Sequence, residues 1–290
     1  MKTIAVVLDA HAAGYAGRDP AHLSRCTWWV TTIGPDTLVS EITPEILDDA
    51  LAALMARGAL RYTKGKGLVP TGKPLSGASI NRHLASLGTL FKFAKKQRLL
   101  PRSWVSPLKS IDKEPESEGR FDCYSADEIE RLIKAARVGR WTKLPALITM
   151  AFQTGLRRGA LQGLRWRDID LKSGTASVGR TKNGRPIVAT LTARVIEELN
   201  SLPGHRDADE FVFGDRDFRK AWSTAIEVAG LRPLPFHCLR HSCASHLAGR
   251  GASSVMLAEV LGHRSLRMVS RYAHLNVEAR ARFVDEAFAA

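Results

Sequence analysis

The 290 residues carry 43 Lys and Arg against 29 Asp and Glu, for a net charge of +14 and a pI near 10.0, and 44% of them are hydrophobic. That apolar content supports packed cores and excludes a disordered chain, and no run of about 18 apolar residues is present to span a bilayer. The charge calls for a polyanion, nucleic acid before membrane because no basic amphipathic anchor stands out, although an RNA-binding or ribosomal protein meets the same composition. Four cysteines without framework spacing (Cys26, Cys123, Cys238, Cys243) read as free thiols in a reducing compartment.

The apolar run that opens the chain, Ile4 to Leu8, mimics a signal start, but Asp9 cuts it short, so a cytoplasmic protein is expected. Residues 1–110 read as a helical domain. Thr43-Pro44-Glu45 starts a helix, with Thr as cap and Pro in the first turn, that runs to Arg57 and stops at Gly58. Residues 59–75 read as a Lys- and Gly-rich loop. Within it, Gly67 to Lys73 nearly matches a nucleotide-binding loop, but Pro74 stands where a Mg²⁺-binding Ser or Thr is needed and no strand precedes it; a basic loop near nucleic acid is the better reading. Ser76 caps a long helix with an apolar stripe of Ile80, Leu84, Leu87, Phe91 and Ala94. Arg82, Lys92, Lys95, Lys96 and Arg98 lie largely off that stripe.

Residues 111–120 have linker composition, and 121–290 form a second domain. Ser125-x-x-Glu128 is a capping box ahead of inward-facing Ile129, Leu132, Ile133 and Ala136. A helix from Pro145 ends near Thr154-Gly155, and Arg157 follows at the turn into the next. From Asp168 to Thr190 short β-like runs appear, and Asn183-Gly184 is a hairpin signal with Lys182 beside its tip. Helices follow near 193–202 and 218–229, with Gly230 as a stop.

Five of the nine histidines fall between Phe236 and Leu275, which reads Phe236-His237-Cys238-Leu239-Arg240-His241, then Leu261-Gly262-His263, then Ser270-Arg271-Tyr272-Ala273-His274. A solvated helical surface could carry these residues. A tyrosine with histidines and arginines upstream is also what attack on a phosphate needs: a nucleophile, a proton carrier, and donors for developing negative charge. His237, His241, Cys238, Cys243 and His246 could offer zinc ligands, but their spacing matches no structural-zinc pattern and Arg240 would stand beside the ion.

The order H-x-L-R-H, L-G-H, Tyr, with Thr154-Gly155-Leu156-Arg157 and Lys182 upstream, resembles the tyrosine recombinase (phage integrase) family. The resemblance implies a mainly α fold with a small β-sheet (α+β). A helical core-binding domain and a catalytic domain would form a C-shaped DNA clamp. It implies site-specific strand exchange in which Tyr272 attacks a backbone phosphate to give a 3′-phosphotyrosyl link. Arg157 and Arg240 would hold the phosphate, His237 would take the tyrosyl proton, Lys182 would protonate the departing 5′-oxygen and His263 would hydrogen-bond the phosphate. No cofactor or metal is implied. The implied partners are double-stranded DNA with specific recombination sites and three further copies in a homo-tetramer on paired sites, without a membrane. Arg82, Lys92, Lys95, Lys96 and Arg98 would meet DNA phosphates.

Two positions depart from the family pattern: Ala160, where an acidic residue usually follows Arg157 by three, and Cys238, where Asp is frequent. The first keeps open a catalytically weakened DNA-binding relative. A type IB topoisomerase shares the chemistry but relaxes DNA without joining two sites.

Overall fold

The computed structural model describes residues 2–116, 122–179, 186–204, 206–214, 217–263 and 265–272, with 281, 284–285 and 287–289 near the C-terminus. The chain divides into two compact units, Met1–Gly119 and Arg120–Ala290.

In the first unit, Thr3 caps α1 (Ile4–Ala13) and α2 (His22–Ile33) follows. α3 (Pro44–Arg57) begins and ends where its residues place it. The Thr43 hydroxyl accepts from the Ile46 amide at 3.4 Å, Pro44 occupies a position whose N–H would be unpaired anyway, and Gly58 at φ 70° stops the helix. Segment 59–75 is more than a loop. β1 (Leu60–Thr63) pairs antiparallel with β2 (Gly67–Pro70), placing Tyr62 opposite Leu68. Gly and Pro at the two ends of β2 are the breakers that hid it, and both are tolerated in a two-stranded ribbon whose strands are all edges. The nucleotide-loop look-alike is this strand and the turn after it.

α4 (Gly77–Lys96) is capped by the Ser76 hydroxyl, which accepts from Ser79 N at 3.3 Å. Its stripe of Ile80, Leu84, Leu87, Phe91 and Ala94 is buried against Trp29 and Val30 of α2 and Leu47 and Leu54 of α3. The Trp29 indole donates to the His83 carbonyl at 3.0 Å, so the largest core side chain is also polar-satisfied. Residues 111–116, linker-like in composition, lie along α4. The Asn81 amide donates to Glu114 O (2.9 Å) and Glu116 Oε1 (2.8 Å), and its carbonyl accepts from Glu114 N (2.9 Å).

The second unit runs α5 (Ala126–Arg137), α6 (Leu144–Thr154), α7 (Arg158–Gly163), β3 (Ile169–Asp170), β4 (Thr175–Val178), β5 (Ile187–Thr190), α8 (Ala193–Asn200), α9 (Arg219–Val228), α10 (Cys238–Gly249) and α11 (Ser254–Leu261). The Ser125/Glu128 capping box is present at the start of α5. α6 is the hub: Leu144 through Ala151 are all buried, and α5, α8 and α10 pack around it. A helix apolar on every side belongs inside a core. The three strands form an antiparallel sheet in the order β3-β4-β5, with Ala176 and Ala189 paired on its buried face. Among the described residues, no helix is long and apolar enough to cross a membrane.

Candidate active site

Two helix ends make the seat of this site. α6 stops at Gly155 (φ 62°), where a Cβ would lie 2.5 Å from Leu261 Cδ2. α11 stops at Gly262 (φ 60°), where a Cβ would lie 2.1 Å from Ile187 Cδ1. Each glycine therefore answers both to a left-handed backbone and to a close approach. The ends come together because Arg240, on the first turn of α10, reaches both. Its Nη1 donates to Gly155 O (2.6 Å), and its Nη2 to Leu261 O (2.6 Å) and His263 Nε2 (2.5 Å). Carbonyls in the last turn of a helix have no partner within it and carry the negative end of its dipole, so they suit a buried guanidinium. Arg240 is only 6% exposed. Burial, and then the nearby Arg157, pull its pKa down to about 10, so it stays charged at neutral pH.

Arg157 sits half-buried at the N-cap of α7, in extended backbone, as the turn after Thr154-Gly155 requires. It and Arg240 line a cavity of about 500 Å³ whose wall also includes Ala160, Asp168, Ser177 and Gly179. The carboxylate there, Asp168, accepts from Arg165 N at 2.9 Å and so caps the short turn that leads into β3. Position 160 contributes only a methyl group to that wall. His263 accepts from Arg240 through Nε2, which puts its proton on Nδ1. That nitrogen is buried without a hydrogen-bond partner among the described residues. Burial, with Arg240 and Arg157 adding to it, holds the imidazole neutral down to about 4.

Tyr272 is buried (4% exposed) beside Cys243, Ala244, Leu257, Leu261 and Val269. Its hydroxyl lies 2.7 Å from Nδ1 of His241, and burial raises the phenol above its ordinary pKa. His237, at the solvent-facing N-cap of α10, packs edge-on against His241 with centroids 5.3 Å apart. Burial, then Arg240 and Arg157, lower its pKa. Lys182 lies outside the described residues; the nearest paired positions of the two strands flanking it are Val178 and Ile187.

The grouping thus brings Arg157, Arg240 and His263 together and sets His237 and Tyr272 each against His241. Sequence reasoning weighed His241 as a zinc ligand and preferred a packing or hydrogen-bonding role, without a place beside the tyrosine. The signal for His241 was the four-residue step from His237, which puts both rings on one face of α10, but nothing local points to a tyrosine 31 residues on. The other potential zinc ligands diverge. Cys238 is buried in the main core and Cys243 in the cluster around Tyr272, both thiols pushed up to about 12 by burial, while His246 lies edge-on to Phe152 at 5.5 Å. In the first unit, Arg82, Lys92, Lys95 and Lys96 are exposed on α4, and Arg98 follows at φ 55°. An ideal helix keeps Arg82, Lys92 and Lys96 within about 80° of arc, whereas Lys95 turns away and donates to Trp104 O (3.1 Å).

Residues 123–279 match the phage integrase family. The chain belongs to that family. Among its relatives, a shufflon-specific DNA recombinase of Escherichia coli is 32% identical over 206 residues, covering 71% of this chain and 53% of the relative. The integrase of Salmonella phage P22 is 28% identical, over 74% of this chain and 59% of the relative. The chain therefore spans somewhat over half the length of these two relatives. The tyrosine recombinase XerC of Xanthomonas axonopodis is 29% identical, over 73% and 72%. Among solved structures, the Tn1549 transposon integrase in complex with transposon right end DNA superimposes with a TM-score of 0.70 at 15% identity, covering both chains fully. A lambda integrase dimer bound to a COC′ core site gives 0.68 at 20% identity, over 94% and 95%. These two carry the fold.

Burial of the imidazoles has a pH consequence. His83, His241 and His263 are each depressed to about 4 in the folded chain, whereas unfolded imidazole takes its proton near 6.5. Between those values the unfolded chain binds more protons, so the contribution of these imidazoles to stability is constant above neutrality and falls as pH drops from about 6.5 toward 4. Thermal unfolding followed from pH 7.5 to 5 is expected to show a falling midpoint; a constant midpoint would contradict the buried, neutral imidazoles.

Proposed function

We propose that this chain is a site-specific DNA recombinase that cuts and rejoins strands through a 3′-phosphotyrosyl intermediate at Tyr272. The observation that carries the reading is the pairing of a buried, doubly anchored Arg240 with a buried Tyr272, one on α10 and the other in the segment after α11. Arg157 and Arg240 both line one cavity, and forked cations match the oxygens of a phosphate whose charge grows in the pentavalent transition state. His263 offers its unpaired Nδ1–H to the same phosphate. His237, at the solvent-facing end of α10, exchanges protons with the site. Lys182 protonates the departing 5′-oxygen. The energy of the broken phosphodiester is retained in the tyrosyl ester, so a second strand's 5′-hydroxyl can reverse the step without ATP. The partner is duplex DNA, bound in part by Arg82, Lys92, Lys96 and Arg98, and four copies act on two paired sites.

Tyr272→Phe is expected to abolish the covalent complex on a nicked suicide substrate while leaving DNA binding intact, because the hydroxyl is lost with almost no change of volume. A full-strength adduct from this variant on a denaturing gel would move the nucleophile elsewhere. Lys182→Ala is expected to slow cleavage by roughly 10²–10⁴, the usual range for a general acid. A substrate with sulfur in place of the bridging 5′-oxygen should restore the rate, since a thiolate leaves without a proton. An equal defect on both substrates would remove Lys182 from that role.

A further inference from the structure

We infer that His241, rather than His237, is the group that takes the proton from Tyr272 as the phenol attacks. The inference rests on the reading of Tyr272 as nucleophile. Its motive is geometric: His241 Nδ1 lies 2.7 Å from the hydroxyl, within hydrogen-bond reach of the proton that must leave. His237 instead touches the edge of the His241 ring and faces solvent. The tautomer with its proton on Nε2 leaves the Nδ1 lone pair free to accept from the phenol.

In the step, the phenolic O–H bond breaks and its proton moves to Nδ1, giving an imidazolium. The phenol oxygen bonds to phosphorus, and the bond from phosphorus to the 5′-oxygen breaks, that oxygen taking a proton from Lys182. On religation the 5′-hydroxyl returns its proton to Lys182, and the imidazolium returns its own to the departing tyrosyl oxygen. Atoms and charge balance in both directions.

The surroundings make this base conditional on substrate. In the free protein burial, then His237, Arg271 and Arg240, hold His241 neutral down to about 4, and burial raises the phenol. Among the described residues, the groups that bear on it include His237 and Arg240 on its own helix, His263 after α11, and Arg271 and Tyr272 in the C-terminal segment. A phosphate bound by the arginines brings negative charge that grows during attack. That charge opposes the cations, raising the affinity of the imidazole for a proton at the moment one is released. Without DNA, the pair is an ordinary hydrogen bond and the nucleophile stays un-ionised.

The test compares the full chain carrying His241→Leu or His241→Asn, each with natural tyrosine or with site-specifically incorporated 3,5-difluorotyrosine at position 272, on the same suicide substrate. The fluorinated phenol is more acidic and needs less help to ionise. His241→Leu is expected to slow cleavage by about 10²–10³ with DNA binding retained, and the fluorinated nucleophile to recover about tenfold or more of that loss. His241→Asn keeps a polar atom close to where Nδ1 stood but cannot hold the proton. It should fold if the leucine variant does not, and show the same recovery. Wild-type cleavage by either folded variant, or an equal defect with both nucleophiles, would overturn the inference. An undiminished adduct from Tyr272→Phe would instead remove the nucleophile reading beneath it.

Discussion

The guanidinium of Arg240 is the constraint on which the rest of the second unit depends. A buried cation is costly unless every donor finds a partner. Here three of its five N–H groups are met by the carbonyls at the ends of α6 and α11 and one imidazole. Satisfying the charge therefore fixes where two helices stop. It also explains why glycine follows each of them: any Cβ at 155 or 262 would strike a neighbouring side chain as the ends converge. Lysine could not do the same work, because one ammonium on a flexible stem does not match acceptors arranged around a rigid fork.

That cation also sets the chemical state of what surrounds it. Burial is the first cause of the low basicity of His237, His241 and His263, and Arg240 adds to it at all three. Neutral imidazoles can each donate through one nitrogen and accept through the other, which a phosphate and a phenol both require. In the proposed mechanism a bound phosphate would oppose the cationic repulsion that adds to burial in keeping these histidines unprotonated. Ala160 leaves the cavity wall beside Arg157 without the family's usual carboxylate, and Asp168, the carboxylate present there, is already engaged in capping a turn.

Much of this was legible in the residues because the determinants are local. Thr43, Ser76 and the Ser125/Glu128 box cap helices through amides three residues away, and the stripe from Ile80 to Ala94 has to be buried on one face. What was hidden depends on long-range placement. The β1–β2 ribbon carries Gly67 and Pro70, so its four-residue strands look like punctuation. Residues 111–116 look like a tether until Asn81, 33 residues earlier, supplies their hydrogen bonds. The carbonyl partners of Arg240 lie 85 and 21 residues from it, and the hydroxyl on His241 lies 31 residues away. Motif spacing identifies these side chains as a set without stating which touches which.

The central claim, that the buried tyrosine beside Arg240 and His241 is where DNA becomes attached, is tested most directly by mapping the covalent adduct in the unmodified protein. Cleaved suicide substrate is trimmed by nuclease, the protein is digested, and the nucleotide-bearing peptide is sequenced by mass spectrometry. The account predicts a single phosphotyrosyl peptide modified at Tyr272. Modification at Tyr15, stacked on His22, at Tyr62, exposed on the hairpin, or at Tyr124, whose hydroxyl donates to Arg232 O at 2.6 Å, would contradict it.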